Sequence, residues 1–156
     1  KKSFVLQEPI MQDNTDNQQD TAPQEPIQDN APKLKNVLCI EDEHFISELY
    51  DRALKKAGYN VTTVVDGRQG LEAAKTNQFD IILLDIMVPT ITGIELLEKL
   101  RQETPPIKAK IIITTNLEQK EDDRKSIEKQ ADGYIIKANI TPRQLAEFLQ
   151  KFESTT

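Results

Sequence analysis

Asp85 ends an apolar run, Ile81-Ile82-Leu83-Leu84, and is followed by Ile86-Met87-Val88-Pro89. Such a run, bounded by polar turn residues, predicts a strand buried on both faces of a parallel sheet. A carboxylate at its carboxyl end stands where open α/β sheets bind ligands, although a turn cap explains a single aspartate as well. Other strand ends add weight: Glu41 and Asp42 close a first apolar run, Thr115 a fourth and Lys137 a fifth. Carboxylates from Glu41, Asp42 and Asp85 meeting at one edge repel one another unless a cation sits among them. An all-oxygen donor set in a small site favours Mg²⁺, which is bound by one or two carboxylates plus a phosphate. A lysine and a hydroxyl are suitable partners for phosphoryl oxygens. Asp85 is then a carboxylate nucleophile able to accept a phosphoryl group as an acyl phosphate. Separate caps and surface charges account for each residue singly, but not for four strand ends in agreement.

The elements that must position these residues are legible from Lys35 onward. The sequence predicts strands over Asn36–Ile40, Asn60–Val65, Phe79–Asp85, Lys110–Thr115 and Gly133–Lys137. Between them lie helical patterns. The first carries Phe45, Ile46, Leu49, Tyr50, Ala53 and Leu54 on its apolar stripe and ends at Gly58 in a left-handed cap. A short second helix opens at Asp66-Gly67 with Leu71, Ala73 and Ala74, and a third runs from Gly93 to about Glu103, where Thr104-Pro105-Pro106 breaks it. The fourth, Glu118 to Ala131, is almost wholly charged, with Leu117 and Ile127 as its main apolar anchors, which predicts a weakly packed, mobile helix. Thr141-Pro142 is an N-cap with a first-turn proline, opening a last helix that buries Leu145, Phe148, Leu149 and Phe152. Strands alternating with helices require right-handed crossovers. The fold expected is α/β: a flavodoxin-like, doubly wound five-stranded parallel sheet of order 2-1-3-4-5.

Composition narrows the function classes. A formal net charge of −6 over 156 residues disfavours a generic nucleic-acid surface. No apolar run approaches the roughly 20 residues of a bilayer span, and the first residues lack the apolar segment of a signal peptide. Cys39 and His44 each occur alone, so one chain offers no disulfide and no His/Cys metal cluster, in keeping with a reducing, cytoplasmic setting. Residues 1–35 are rich in Gln, Asp, Asn and Pro and are expected to form a disordered tail or linker before a domain over 36–156. Within the tail Gln7-Glu8-Pro9-Ile10 recurs as Gln24-Glu25-Pro26-Ile27, either a duplicated binding motif or a local duplication in a tolerant linker.

Residues 36 to 153 resemble the receiver domain of two-component response regulators. The resemblance rests on Val37-Leu-Cys-Ile-Glu41-Asp42-Glu43, on Leu83-Leu-Asp85-Ile-Met-Val-Pro89 with Gly93, on Ile112-Ile-Thr-Thr115, and on Ala131-Asp-Gly-Tyr134-Ile-Ile-Lys137. It implies that a sensor histidine kinase or phosphotransfer protein phosphorylates Asp85 with Mg²⁺ present. Asp42, Asp85 and the backbone carbonyl of Met87 would ligate the metal, and Glu41 would act through a bound water. Lys137 would pair with Asp85 and then with the phosphoryl group. Thr115, preferred over its neighbour Thr114, would move to the phosphoryl group, and Tyr134 would turn into the space it leaves. The swing would report to the surface of the fourth helix, fifth strand and fifth helix, with homodimerisation on phosphorylation among its outcomes.

The sequence also departs from the family's pattern. Ala138 replaces the proline that usually follows the lysine through a cis bond, which Ala138 could adopt only at a cost of about 3 kcal/mol. Asn116 replaces a small residue beside the switch threonine, and Thr92 an aspartate that often precedes the glycine. Met87 and Leu117, which would border the phosphoryl group, cannot orient an attacking water, so self-hydrolysis should be slow. The chain is expected to catalyse only its own phosphorylation and slow dephosphorylation, either as a stand-alone regulator or as part of a longer protein. The rival readings are a constitutive, unphosphorylated adaptor and a phosphatase or flavin protein on the same fold.

Overall fold

The computed structural model describes residues 35–116 and 120–155. The expected tail with its Gln-Glu-Pro-Ile repeat, and Leu117, lie outside them. Five strands, β1 (Asn36–Ile40), β2 (Asn60–Val64), β3 (Ile81–Asp85), β4 (Lys110–Thr115) and β5 (Gly133–Ile136), form one parallel sheet in the order β2-β1-β3-β4-β5. The expected topology is thus observed. Five helices alternate with them: α1 (His44–Lys56), α2 (Gly67–Lys75), α3 (Gly93–Arg101), α4 (Glu121–Gln130) and α5 (Pro142–Thr155). Among the described residues no helix is long and apolar enough to cross a membrane.

The strands are apolar along their length because both faces are covered, and alternate residues feed two separate cores. Leu38, Ile40, Ile82, Leu84, Ile111 and Ile113 pack with Ala74 of α2, Leu96, Leu97 and Leu100 of α3, and Ile127 of α4. Val37, Cys39, Ile81, Leu83, Ile112 and Ile135 pack on the other face with Tyr50 and Leu54 of α1 and Leu145 and Leu149 of α5. Cys39 is only 1% exposed, and burial, with the nearby Glu41 carboxylate adding to it, pushes its thiol up to about 12.

The helix ends follow the cap chemistry in the sequence. Gly58 adopts φ 100° after α1, as its expected left-handed role requires. The Thr141 hydroxyl accepts the Gln144 N–H at 3.1 Å while the Gln144 side chain accepts the Thr141 N–H at 2.9 Å, a reciprocal capping box for α5. The stripe expected on α1 needs one correction, because Phe45 is 71% exposed. The buried stripe is Ser47, Tyr50 and Leu54. Phe45 precedes Ser47 by two residues, about 200° around a helix, and so faces away. In α5, Phe148 and Phe152 are half-buried and stack with ring centroids 6.0 Å apart.

Candidate functional site

Three strand ends deliver charge to one point. Glu41 follows the last residue of β1, Asp85 is the last residue of β3, and Lys137 follows the last residue of β5. Order β1-β3-β4-β5 makes the first two adjacent and sets the third two strands away, within reach of a lysine side chain. The Lys137 Nζ donates to Glu41 Oε1 at 2.5 Å and to Asp85 Oδ2 at 3.0 Å, and lies 3.9 Å from Glu43 Oε1. Glu41, Asp85 and Lys137 are 1%, 2% and 7% exposed, so this pairing is formed out of water. Asp42 is exposed, and one carboxylate oxygen from each of Glu41, Asp42 and Asp85 lies within 4.8 Å of the others.

Two buried carboxylates share one ammonium, and the site keeps an excess of negative charge. Burial pushes the Glu41 carboxyl up to about 7 against the pull of Lys137, and Asp85 beside it adds to the rise. Burial alone would lower the Lys137 ammonium, but its hydrogen bond to Glu41 and the charge of Asp85 outweigh that and hold it above its usual range. A hard divalent cation fits this donor set: oxygen ligands alone, a charge deficit, and one ligand open to solvent. The backbone around the site is also committed. Glu43 N–H donates to Glu41 Oε2 at 3.1 Å, and Met87 N–H to Asp85 Oδ1 at 3.0 Å. Met87 itself is 65% exposed.

Thr115 ends β4 fully buried, one residue beyond Thr114, which is the register partner of Asp85. Strand alternation puts Thr115 on the face of Ile113, and Tyr134 is the register partner of Ile113 and packs against the same core. The two residues expected to move together therefore share one face of the sheet. No cis bond follows Lys137; the chain instead runs through a short 3₁₀ turn, Lys137–Asn139. Ala138 thus leaves the lysine able to reach both carboxylates. Sequence reasoning missed Glu43 as a neighbour of Lys137, for which the Glu41-Asp42-Glu43 run was the only signal. It also missed Thr90, at φ 71° in the loop after Asp85, for which a threonine in a turn gives no signal.

The comparisons agree with this fold. The family model of the response regulator receiver domain matches residues 37–150. Response regulator ArlR of Staphylococcus aureus is 33% identical over 123 residues, 78% of this chain and 52% of that protein. The chain thus spans about half the length of the curated relatives it matches. A CheY-like receiver domain protein from Methanospirillum hungatei JF-1 superposes with a TM-score of 0.69 at 29% identity, covering 78% of this chain and 95% of that one. The receiver domain of sensor histidine kinase PA1611 from Pseudomonas aeruginosa PAO1 gives a TM-score of 0.67 at 24% identity, over 76% of this chain and 97% of that one. That structure has a magnesium ion coordinated in its active site cleft. A parallel sheet of this order, a lysine shared by two buried carboxylates at its carboxyl edge, and a family match over most of the chain lead to one assignment: the chain belongs to the response regulator receiver domain family.

Proposed function

We propose that the chain is a phosphorylation-controlled signalling switch that takes a phosphoryl group on Asp85 from a sensor histidine kinase or phosphotransfer protein. The observation that carries this reading is the Lys137 ammonium held between the buried carboxylates of Asp85 and Glu41, with Asp42 alongside. Asp42, Asp85 and the Met87 carbonyl would hold Mg²⁺, with Glu41 alongside. When bound, the ion would neutralise charge on the transferring phosphoryl oxygens. An Asp85 carboxylate oxygen attacks phosphorus; its O–P bond forms as the donor's bond to phosphorus breaks, leaving an acyl phosphate. Lys137 then passes from the Asp85 carboxylate to the phosphoryl oxygens.

The Thr115 hydroxyl follows by donating to the phosphoryl group, and Tyr134 turns into the space it leaves. Their common face of the sheet supports such coupling. The signal leaves through α4, β5 and α5 to a protein target, and homodimerisation on phosphorylation is one way to read it. This is signalling in the cytoplasm, with no contact to nucleic acid or membrane within the domain. The Met87 side chain offers no polar group to an attacking water, so the acyl phosphate decays slowly; Met87→Asn together with Leu117→Glu is expected to speed the decay about tenfold or more.

Intact-mass spectrometry after incubation with acetyl phosphate tests the central claim. A single phosphoryl adduct is expected with Mg²⁺, and none without it or in Asp85→Asn. No adduct under conditions that label a control receiver would turn the reading to a constitutive adaptor.

A further inference from the structure

Thr90 sits at φ 71°, in the left-handed region that β-branched residues avoid. Glycine or asparagine would stand there with less strain. Across Thr90 the Ile91 N–H donates to the Pro89 carbonyl at 3.0 Å, closing a three-residue turn of the rare, strained kind. What threonine adds is a hydroxyl. It donates to the Pro89 carbonyl at 2.6 Å and accepts the Arg68 N–H at 3.3 Å. The Gly67 N–H donates to the same Pro89 carbonyl at 3.0 Å. Gly67 and Arg68 open α2, and their N–H groups have no partner inside their own helix. The loop after Asp85 supplies both partners. Gly67 permits the approach, since a Cβ there would collide with the Ile91 carbonyl oxygen.

The other end of the loop is pinned as tightly. The Gly93 N–H donates to the Ile86 carbonyl at 2.9 Å, and a Cβ on Gly93 would lie 2.5 Å from the Asp85 carbonyl oxygen. Between the two pins stands Met87, whose N–H already donates to the Asp85 carboxylate. Strain beside a reacting group persists only where its surroundings hold it. Here the holding group is the threonine's own side chain.

We propose that Thr90 is a positioning residue: its hydroxyl clamps the loop after Asp85 to the first turn of α2 and so sets the Met87 carbonyl for a divalent cation. The inference rests on the proposed reading of the site as one that takes Mg²⁺. It makes the start of α2, which contributes no ligand, part of the site's support, in the way that outer contacts tune metal ligands elsewhere.

Mg²⁺ titrated calorimetrically into the full chain, T90G and T90S, with the metal-free thermal midpoint of each, tests it. Glycine relieves the backbone strain, so T90G is expected to keep or raise its midpoint while binding Mg²⁺ about tenfold more weakly. T90S keeps the hydroxyl and is expected to bind as the parent does. Unchanged affinity in T90G, or T90S as weak as T90G, overturns the proposal. So does an affinity loss in T90G that tracks a lowered midpoint, since that marks a merely structural role. A parent chain that binds no Mg²⁺ refutes the metal site itself, a separate failure seen before any variant is compared.

Discussion

The acid-lined edge of the sheet and helix α4 are built on opposite plans. At the edge, Glu41, Asp85 and Lys137 are buried together and joined by two short hydrogen bonds. In α4, Ile127 is the single buried residue of ten, and its Lys120 cap makes no side-chain cap hydrogen bond. Helix α3, on the same face of the sheet, buries Gly93, Leu96, Leu97 and Leu100 out of nine residues. On the proposed function, the contrast separates two tasks. Chemistry needs groups that stay in place, whereas a reporting surface needs an element that can shift at small cost. On that same reading, the fold provides both on one sheet.

The largest expected effect tests the rigid side. Lys137→Ala leaves two buried carboxylates facing each other, and should lower metal-free stability by about 3 kcal/mol or more in urea unfolding, with Mg²⁺ restoring part of it. A loss below about 1 kcal/mol would mean that the edge is not organised by its lysine. Next comes a paired comparison. Leu97→Ala should cost about 2–5 kcal/mol of global stability, the usual range for a buried leucine. Ile127→Ala should fall at or below the low end of that range, because α4 can loosen without the rest of the domain unfolding. Equal global costs would break the contrast. Hydrogen exchange sharpens it: α4 amides are expected to exchange through local opening, and α3 amides only with the whole domain.

The smallest effect concerns the tie between the two helices. Arg101, at the end of α3, donates to the Gln130 carbonyl at 2.6 Å and to Asp132 Oδ2 at 2.9 Å, and Asp132 also accepts the Ile111 N–H at 2.8 Å. Arg101→Ala should cost about 1 kcal/mol and raise exchange in α4 while leaving α3 protected. Equal exchange in both helices would place the tie in the core rather than at the end of α4.

Much of this could be read from the residues because burial on two faces writes long apolar runs. β1 and β4 begin and end where the sequence predicts, and the alternation of strand and helix marks the sheet as parallel. The strand-end charges were legible for the same reason, since a polar residue at the end of such a run stands out. Boundaries set by turns were less so. β3 begins at Ile81 rather than Phe79, and β2 ends at Val64 rather than Val65. Phe45 departs from the reading of the sequence because apolar type does not fix orientation: the buried stripe of α1 begins instead with a serine whose hydroxyl donates to the His44 carbonyl. The clamp from Thr90 to α2 left no trace, being made largely of backbone groups that every residue carries.

Cys39 has a practical consequence. It is the chain's single cysteine, it lies against α1 and α5 in the core, and its thiol is held almost wholly protonated at neutral pH. Thiolate is the reactive form, so alkylating dyes and spin labels should pass it by in the folded protein. A reporter cysteine placed on the exposed surface of α4 would therefore be the only thiol that reacts. The helix expected to move could be watched in the native background, with no cysteine removed first.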